Sequence, residues 1–192
     1  KSQELLQFIE DFSPDVGLSA YFGYILKPEH INCFADGIVN MHGGYLPWCR
    51  GKNPNAWSIM EDAPSGVTLH LIDEKVDQGM ILGQKRVVNH WGMTAKDLYE
   101  AMEEASIALM QSLFPAYLQG QVVLQTLRDS KGSYHSGTDM QQIKHIDLDS
   151  PTTARQLLKQ LRAATFQPFR GATFCDNGVE YQVEVAINKI LK

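Results

Sequence analysis

The chain has 192 residues, 44% hydrophobic and 20% charged, which is enough for one sizeable core or one core with a small appendage. Its net charge of -5 argues against a domain built to hold a polyphosphate backbone, and no apolar run approaches the roughly 18 to 20 residues that span a bilayer. Three scattered cysteines, Cys33, Cys49 and Cys175, without a Cys-x-x-Cys pair or zinc-ligand spacing, point to a reducing cytoplasm and to no structural metal.

The chain opens without methionine inside a helical pattern, with Leu5, Phe8, Ile9 and Phe12 at helical spacing, and so reads as a fragment. Pro14 breaks that pattern, Val16 to Ala20 reads as a short buried strand, and an irregular aromatic segment, Tyr21 to Leu26, follows. Pro28 is placed to open a short helix toward Phe34, and Asp36-Gly37 turns the chain into an apolar strand, Ile38 to Met41, that ends at His42-Gly43-Gly44. Pro54 opens a helix through Met60. Val67 to Ile72 and Met80 to Val88 read as strands flanking an acidic loop, Asp73 to Gly79.

Thr94 can cap a long helix, with Asp97 three positions on and Leu98, Met102, Ala105, Leu109 and Leu113 as its buried stripe. Gly120 is its stop. Residues 129–142, rich in Ser, Gly, Asp and Gln, read as a linker or exposed loop between a core at 1–128 and a small domain at 143–192. In that domain Ser150 and Pro151 start a helix with Leu157, Leu158 and Leu161 in its stripe, and Asn177-Gly178 signals a hairpin between Ala172–Cys175 and Val179–Ile187. Alternating strands and helices in the first part imply an α/β fold with a mainly parallel sheet, in which ligands bind beyond the carboxyl ends of the strands.

His42 sits at such an end. Residues two apart in a strand share a face, so Asn40 and His42 point one way and Met41 the other. Acyl transfer to an amine needs a donor for the oxyanion of the tetrahedral intermediate and a group that manages the amine's proton. Asn40 and His42 suit those tasks, although a polar residue and a histidine at a strand end are by themselves more often structural.

Asn40-Met41-His42-Gly43-Gly44-Tyr45-Leu46-Pro47 with Arg50-Gly51, then Gly66-Val67-Thr68-Leu69-His70, then Asp73-Glu74-Lys75-Val76-Asp77-Gln78-Gly79, resembles the formyltetrahydrofolate-dependent formyltransferase family. The likeness covers most of Asp15 to Val87 and rests on several ordered motifs. It implies a partial Rossmann-like formyltransferase core with a small C-terminal α+β domain. It also implies a catalytic triad of Asn40, His42 and Asp77, and 10-formyltetrahydrofolate as cosubstrate. Asp77 beside the imidazole would favour protonated His42 and fix its orientation, or hold a water that relays the amine proton.

The same resemblance assigns Phe22, Gly23, Tyr24, Ile25, Leu26, Asp73 and Val76 to the folate pocket, against ordinary core packing as the alternative for the apolar members. It sets Tyr45, Arg50, Lys52, Asn55 and His70 where an acceptor approaches, with the cationic pair meeting its phosphates. Gly43 to Trp48 with Arg50 to Ile59, and Ile146 to Asp149 with later segments, look most like nucleotide-sugar N-formyltransferases, whose acceptors are usually dTDP-linked amino sugars for O-antigen or other surface glycans. A homodimer paired through the strands around Asn177-Gly178 is the matching expectation.

Within the family, methionyl-tRNA formyltransferase is disfavoured by the slight basic excess of residues 141–192, seven Lys/Arg against five Asp/Glu. A formyltetrahydrofolate hydrolase or a glycinamide ribonucleotide formyltransferase would use the same triad, and a non-catalytic folate or nucleotide-sugar binding module is the alternative of another class. Many relatives carry a serine where this chain has Gly44, so its contact must come from backbone or from Tyr45. Relatives also carry a strand-helix region ahead of the position of Lys1, so the core is expected to be N-terminally incomplete.

Overall fold

The computed structural model describes residues 2–127 and 132–190. Residues 128–131, part of the stretch expected as a linker, lie outside the described residues, as do residue 1 and residues 191–192. The elements run α1 (Ser2–Phe12), β1 (Gly17–Ala20), α2 (Pro28–Ile31), β2 (Ile38–His42), β3 (Arg50–Gly51), α3 (Pro54–Glu61), β4 (Gly66–Leu71), β5 (Ile81–Arg86), α4 (Ala95–Leu118), β6 (Tyr134–His135), α5 (Met140–Lys144), α6 (Ala154–Ala164), β7 (Ala172–Asp176) and β8 (Val179–Val183). No described helix is long and apolar enough to cross a membrane.

Four strands form the central sheet in the order β1-β2-β4-β5. Its expected parallel pairing holds for β1 and β2, whereas β4 runs antiparallel to both β2 and β5. Physical reasons lie in the connections. A parallel neighbour requires a crossover, usually a helix laid over the sheet. The helix between β2 and β4, α3, instead packs on α6 and α4, and β4 and β5 are joined only by the acidic loop. Antiparallel pairing sets Asn40 opposite His70 and His42 opposite Thr68.

Helix α4 begins at the expected capping box, with Thr94 Oγ1 accepting from the Asp97 amide at 3.3 Å and Asp97 Oδ2 accepting from the Thr94 amide at 2.7 Å. Gly120, at φ +68, follows its last turn. One side of the helix covers the sheet: Leu109, Met110, Leu113 and Phe114 pack on buried Val39, Leu69 and Leu82. The other closes a second core with α3 and α6, containing Ala56, Ile59, Leu98, Met102 and Leu161. Of the α1 stripe, Ile9 is buried, whereas Phe8 and Phe12 are exposed.

Segment 132–142 does more than bridge. β6 pairs in parallel with β3, because the amides of Arg50 and Lys52 donate to the carbonyls of Ser133 and His135 at 2.9 Å each. The next helix starts later than Ser150-Pro151, at Ala154, since the Thr153 hydroxyl accepts from the Gln156 amide at 3.1 Å and so sets the cap. Asn177 and Gly178 occupy the turn of the β7-β8 hairpin with φ +47 and +77, the sign pair a tight two-residue turn needs. β8 ends at Val183 and not at the expected Ile187.

Candidate active site

β2 delivers Asn40 and His42 to one face, as their spacing requires. Ser19 on β1 donates its hydroxyl to Asn40 Oδ1 at 2.8 Å, and Asn40 Nδ2 lies 3.1 Å from His70 Nε2. His70 Nδ1 is 2.8 Å from the Leu71 carbonyl. A carbonyl only accepts, so Nδ1 carries a proton. Nε2 can engage at most one of the two Asn40 N–H groups, so at least one is left over among the described residues.

Asp77 comes from the loop between β4 and β5, at φ +52. Its Oδ2 accepts from the Gly51 amide at 2.8 Å and lies 3.5 Å from His42 Nδ1, while Oδ1 lies 3.4 Å from His70 Nε2. Burial pushes this carboxyl up. The His70 contact, the nearby His42 and the Gly51 amide outweigh it and hold Asp77 down at about 2. The carboxylate is therefore ionised throughout the neutral range.

For His42 the balance falls the other way. Burial lowers its pKa more than Asp77 raises it, and His70 lowers it further. Asp77 does favour protonated His42, as expected, but burial outweighs it and holds the imidazole neutral, which is the form able to take a proton. Its Nε2 is buried and without a hydrogen-bond partner among the described residues. Gly44 lies against it, and a Cβ added there would fall 2.5 Å from that nitrogen and 2.9 Å from Cδ2.

The Gly44 backbone is itself held. Thr68 donates its hydroxyl to the Gly44 carbonyl at 2.8 Å and accepts from the Leu46 amide at 3.1 Å and from Gln84 Nε2 at 2.9 Å. Thr68 thus fixes the turn that a side chain at position 44 would otherwise have to stabilise. Tyr45 has another partner, the Arg86 guanidinium, 4.2 Å above its ring.

Asn40, His42, His70 and Asp77 line one pocket of about 1000 Å³. Phe22, Gly23, Tyr24, Ile25, Leu26, Asp73 and Val76 line it as well. Tyr24 is 76% and Ile25 81% exposed, which counts against ordinary core packing for these two and leaves apolar surface open to a ligand.

Of the expected acceptor contacts, exposed Lys52 and buried Asn55 and His70 line the pocket, and Asn55 Nδ2 donates to the Ala95 carbonyl at 2.8 Å. Tyr45 and Arg50 are not among the lining residues. His70 is occupied with Asn40 and Asp77. Sequence reasoning missed Ser19, Thr68 and Gly51, all contacts of the site. The signal for Ser19 and Thr68 was strand alternation, which puts each on the face of its partner once the register is known.

Fold and site together define a group-transfer enzyme of the α/β class, with an amide, a neutral imidazole and an ionised carboxylate on one pocket wall. Comparison with known proteins sharpens this. The chain belongs to the formyl transferase family, whose domain matches residues 1–141, and residues 139–189 match the N-formyltransferase dimerization C-terminal domain.

Among solved structures, a 4-N formyltransferase from Francisella tularensis superposes with a TM-score of 0.91 at 26% identity, covering 99% of this chain and 77% of its own. A sugar N-formyltransferase from Shewanella sp. gives 0.89 at 25% identity, covering 98% of this chain and 75% of its own. The N-formyltransferase of Helicobacter canadensis, solved with folinic acid and dTDP-3-aminofucose, gives 0.73 at 26% identity, covering 84% of this chain and 58% of its own.

Proposed function

We propose that the chain transfers the formyl group of 10-formyltetrahydrofolate to the amino group of a nucleotide-linked amino sugar, with Asn40, His42 and Asp77 performing the chemistry. The observation that carries this reading is the antiparallel register of β2 and β4. It joins Asn40 to His70 and, through Asp77, to His42 on the wall of a pocket whose rim carries exposed apolar residues.

As the amine attacks the formyl carbon, the free N–H of Asn40 donates to the oxygen that becomes anionic. Neutral His42 takes the proton shed by the amine, and the Asp77 carboxylate stabilises the imidazolium so formed. As the tetrahedral intermediate collapses, the imidazolium returns that proton to the leaving nitrogen, so tetrahydrofolate departs, the formamide remains and His42 is neutral again. In this reading Phe22 to Leu26, Asp73 and Val76 hold the folate, and Lys52 and Asn55 face the acceptor. The Helicobacter canadensis neighbour, solved with a dTDP sugar, supports dTDP as the nucleotide, and we place the product in O-antigen or other surface glycan synthesis as part of the same proposal.

We further assign catalysis to residues 1–128, dimer formation to 143–192 and the cytoplasm as the compartment. The dimerization-domain match supports the homodimer. So does the exposed hairpin side chain Tyr181, stacked on Phe174 at 5.2 Å. Incubation with 10-formyltetrahydrofolate and a panel of dTDP- and UDP-linked amino sugars, charged initiator tRNA and buffer alone tests the reading. A formamido sugar is expected. Formylated tRNA, free formate or no turnover would each overturn the acceptor assignment.

A further inference from the structure

A half-buried polar cluster stands behind the site and takes no direct part in the chemistry. Glu61, at the end of α3, accepts from the Ser133 hydroxyl on Oε2 at 2.7 Å, and its Oε1 lies 2.5 Å from His135 Nε2. The His135 ring stacks on Trp57 at 3.7 Å with an interplanar angle of 5°. Ser133 Oγ also accepts from the Cys49 amide at 2.9 Å. Burial and the nearby Glu61 push the Cys49 thiol up to about 12, so it stays protonated. Ser, His and Glu here do not form a nucleophilic triad, because the hydroxyl donates to the carboxylate and not to the imidazole.

We propose that Glu61 and His135 are positioning residues for the catalytic carboxylate, clamping β6 onto β3 so that the Gly51 amide is held on Asp77. The inference rests on the reading of Asp77 as a member of the triad. Strand geometry supplies the link. The amides of Arg50 and Lys52 point at β6, so alternation turns the Gly51 amide to the opposite edge, where it meets Asp77 at 2.8 Å. Gly51 is pressed directly on the clamped strand: a Cβ there would lie 2.2 Å from the His135 carbonyl oxygen, and its φ is +88. Any drift of β6 away from α3 is therefore passed to β3 and to the hydrogen bond on Asp77.

Glu61→Ala and His135→Phe test this, the second keeping the stack on Trp57 while removing the donor. Both are expected to lower kcat on the order of tenfold with KM for the formyl donor unchanged. Both are also expected to speed hydrogen exchange at the Gly51 amide. In carbon NMR of labelled aspartate, the Asp77 titration should move to higher pH, since a lost amide donor destabilises the carboxylate next to His42 and His70. Glu61→Gln, which keeps an acceptor for His135, should restore most of the rate, and His135→Phe carries the test should the alanine variant fail to fold. Gly51 exchange and Asp77 titration unchanged in the folded variants would overturn the proposal. Asp77→Asn separates the two claims: full activity would sink the triad reading, whereas an inactive Asp77→Asn beside an unperturbed Gly51 amide in His135→Phe, and in Glu61→Ala where it folds, would sink the clamp alone.

Discussion

Gly44 is the position where a single added methyl group would press directly on His42 in this chain. Its added Cβ would fall 2.5 Å from His42 Nε2, where ordinary contact begins near 3.4 Å, and 3.1 Å from Pro54 Cβ. With both contacts tighter than that, restoring ordinary contact at Nε2 asks the imidazole to give way by about 0.9 Å. A misplacement of that size at a reacting group costs about 100-fold in rate. In Gly44→Ala, single-turnover formyl transfer at saturating folate and sugar should therefore fall by about two orders of magnitude. Folate affinity should hold, because the residues proposed to hold folate lie on other segments. Thermal unfolding should shift by no more than a few degrees, the equivalent of about 1 kcal/mol. An alanine variant with the wild-type single-turnover rate would refute the claim that the His42 ring must stay where it is.

Because burial, working against Asp77, lowers the His42 pKa, the active neutral form persists below the ordinary histidine value of 6.5 and is lost only as pH falls through the depressed one. The acid limb of kcat/KM should lie below 6.5, and in Asp77→Asn, NMR titration of His42 should move lower still, since the interaction that raises it is gone. Thr68→Val removes the hydroxyl that holds the Gly44 carbonyl and the Leu46 amide; it should cost about 2 kcal/mol in chemical denaturation and lower kcat more than it raises KM. Arg162, 5% exposed, donates to the carbonyls of Met93 and His90 and to Asn89 Oδ1 at 2.6 to 2.8 Å. Arg162→Met should cost about 3 kcal/mol in chemical denaturation without changing folate affinity by titration calorimetry.

The elements were legible where local chemistry decides them. The Thr94 capping box, Gly120 behind the last turn of α4, Pro54 at the start of α3 and the Asn177-Gly178 turn are each fixed by a few neighbouring residues, and each is where the pattern put it. Strand direction was not, because it depends on where the intervening helix packs. α3 serves the α4-α6 core, and so β4 returns antiparallel. This one non-local fact changes the meaning of His70, which sequence places beside an acceptor and the register places opposite Asn40.

Alternation along β2 sufficed to put Asn40 and His42 on one face, but not to decide the protonation of His42. That depends on burial by Gly44 and its surroundings, which no motif displays. The long-range partners of segment 132–142 are hidden for a similar reason. Its composition is that of an exposed loop, yet Ser133 and His135 have partners in Cys49 and Glu61, more than seventy positions away along the chain.

At the centre of the account is a neutral imidazole, held beside an ionised carboxylate, that takes the proton of the attacking amine. The most direct test is single-turnover formyl transfer by His42→Ala, measured beside its affinity for a non-transferable folate. The account predicts a loss of at least about 100-fold in the rate with folate affinity unchanged. Transfer at the wild-type rate by folded His42→Ala would contradict it.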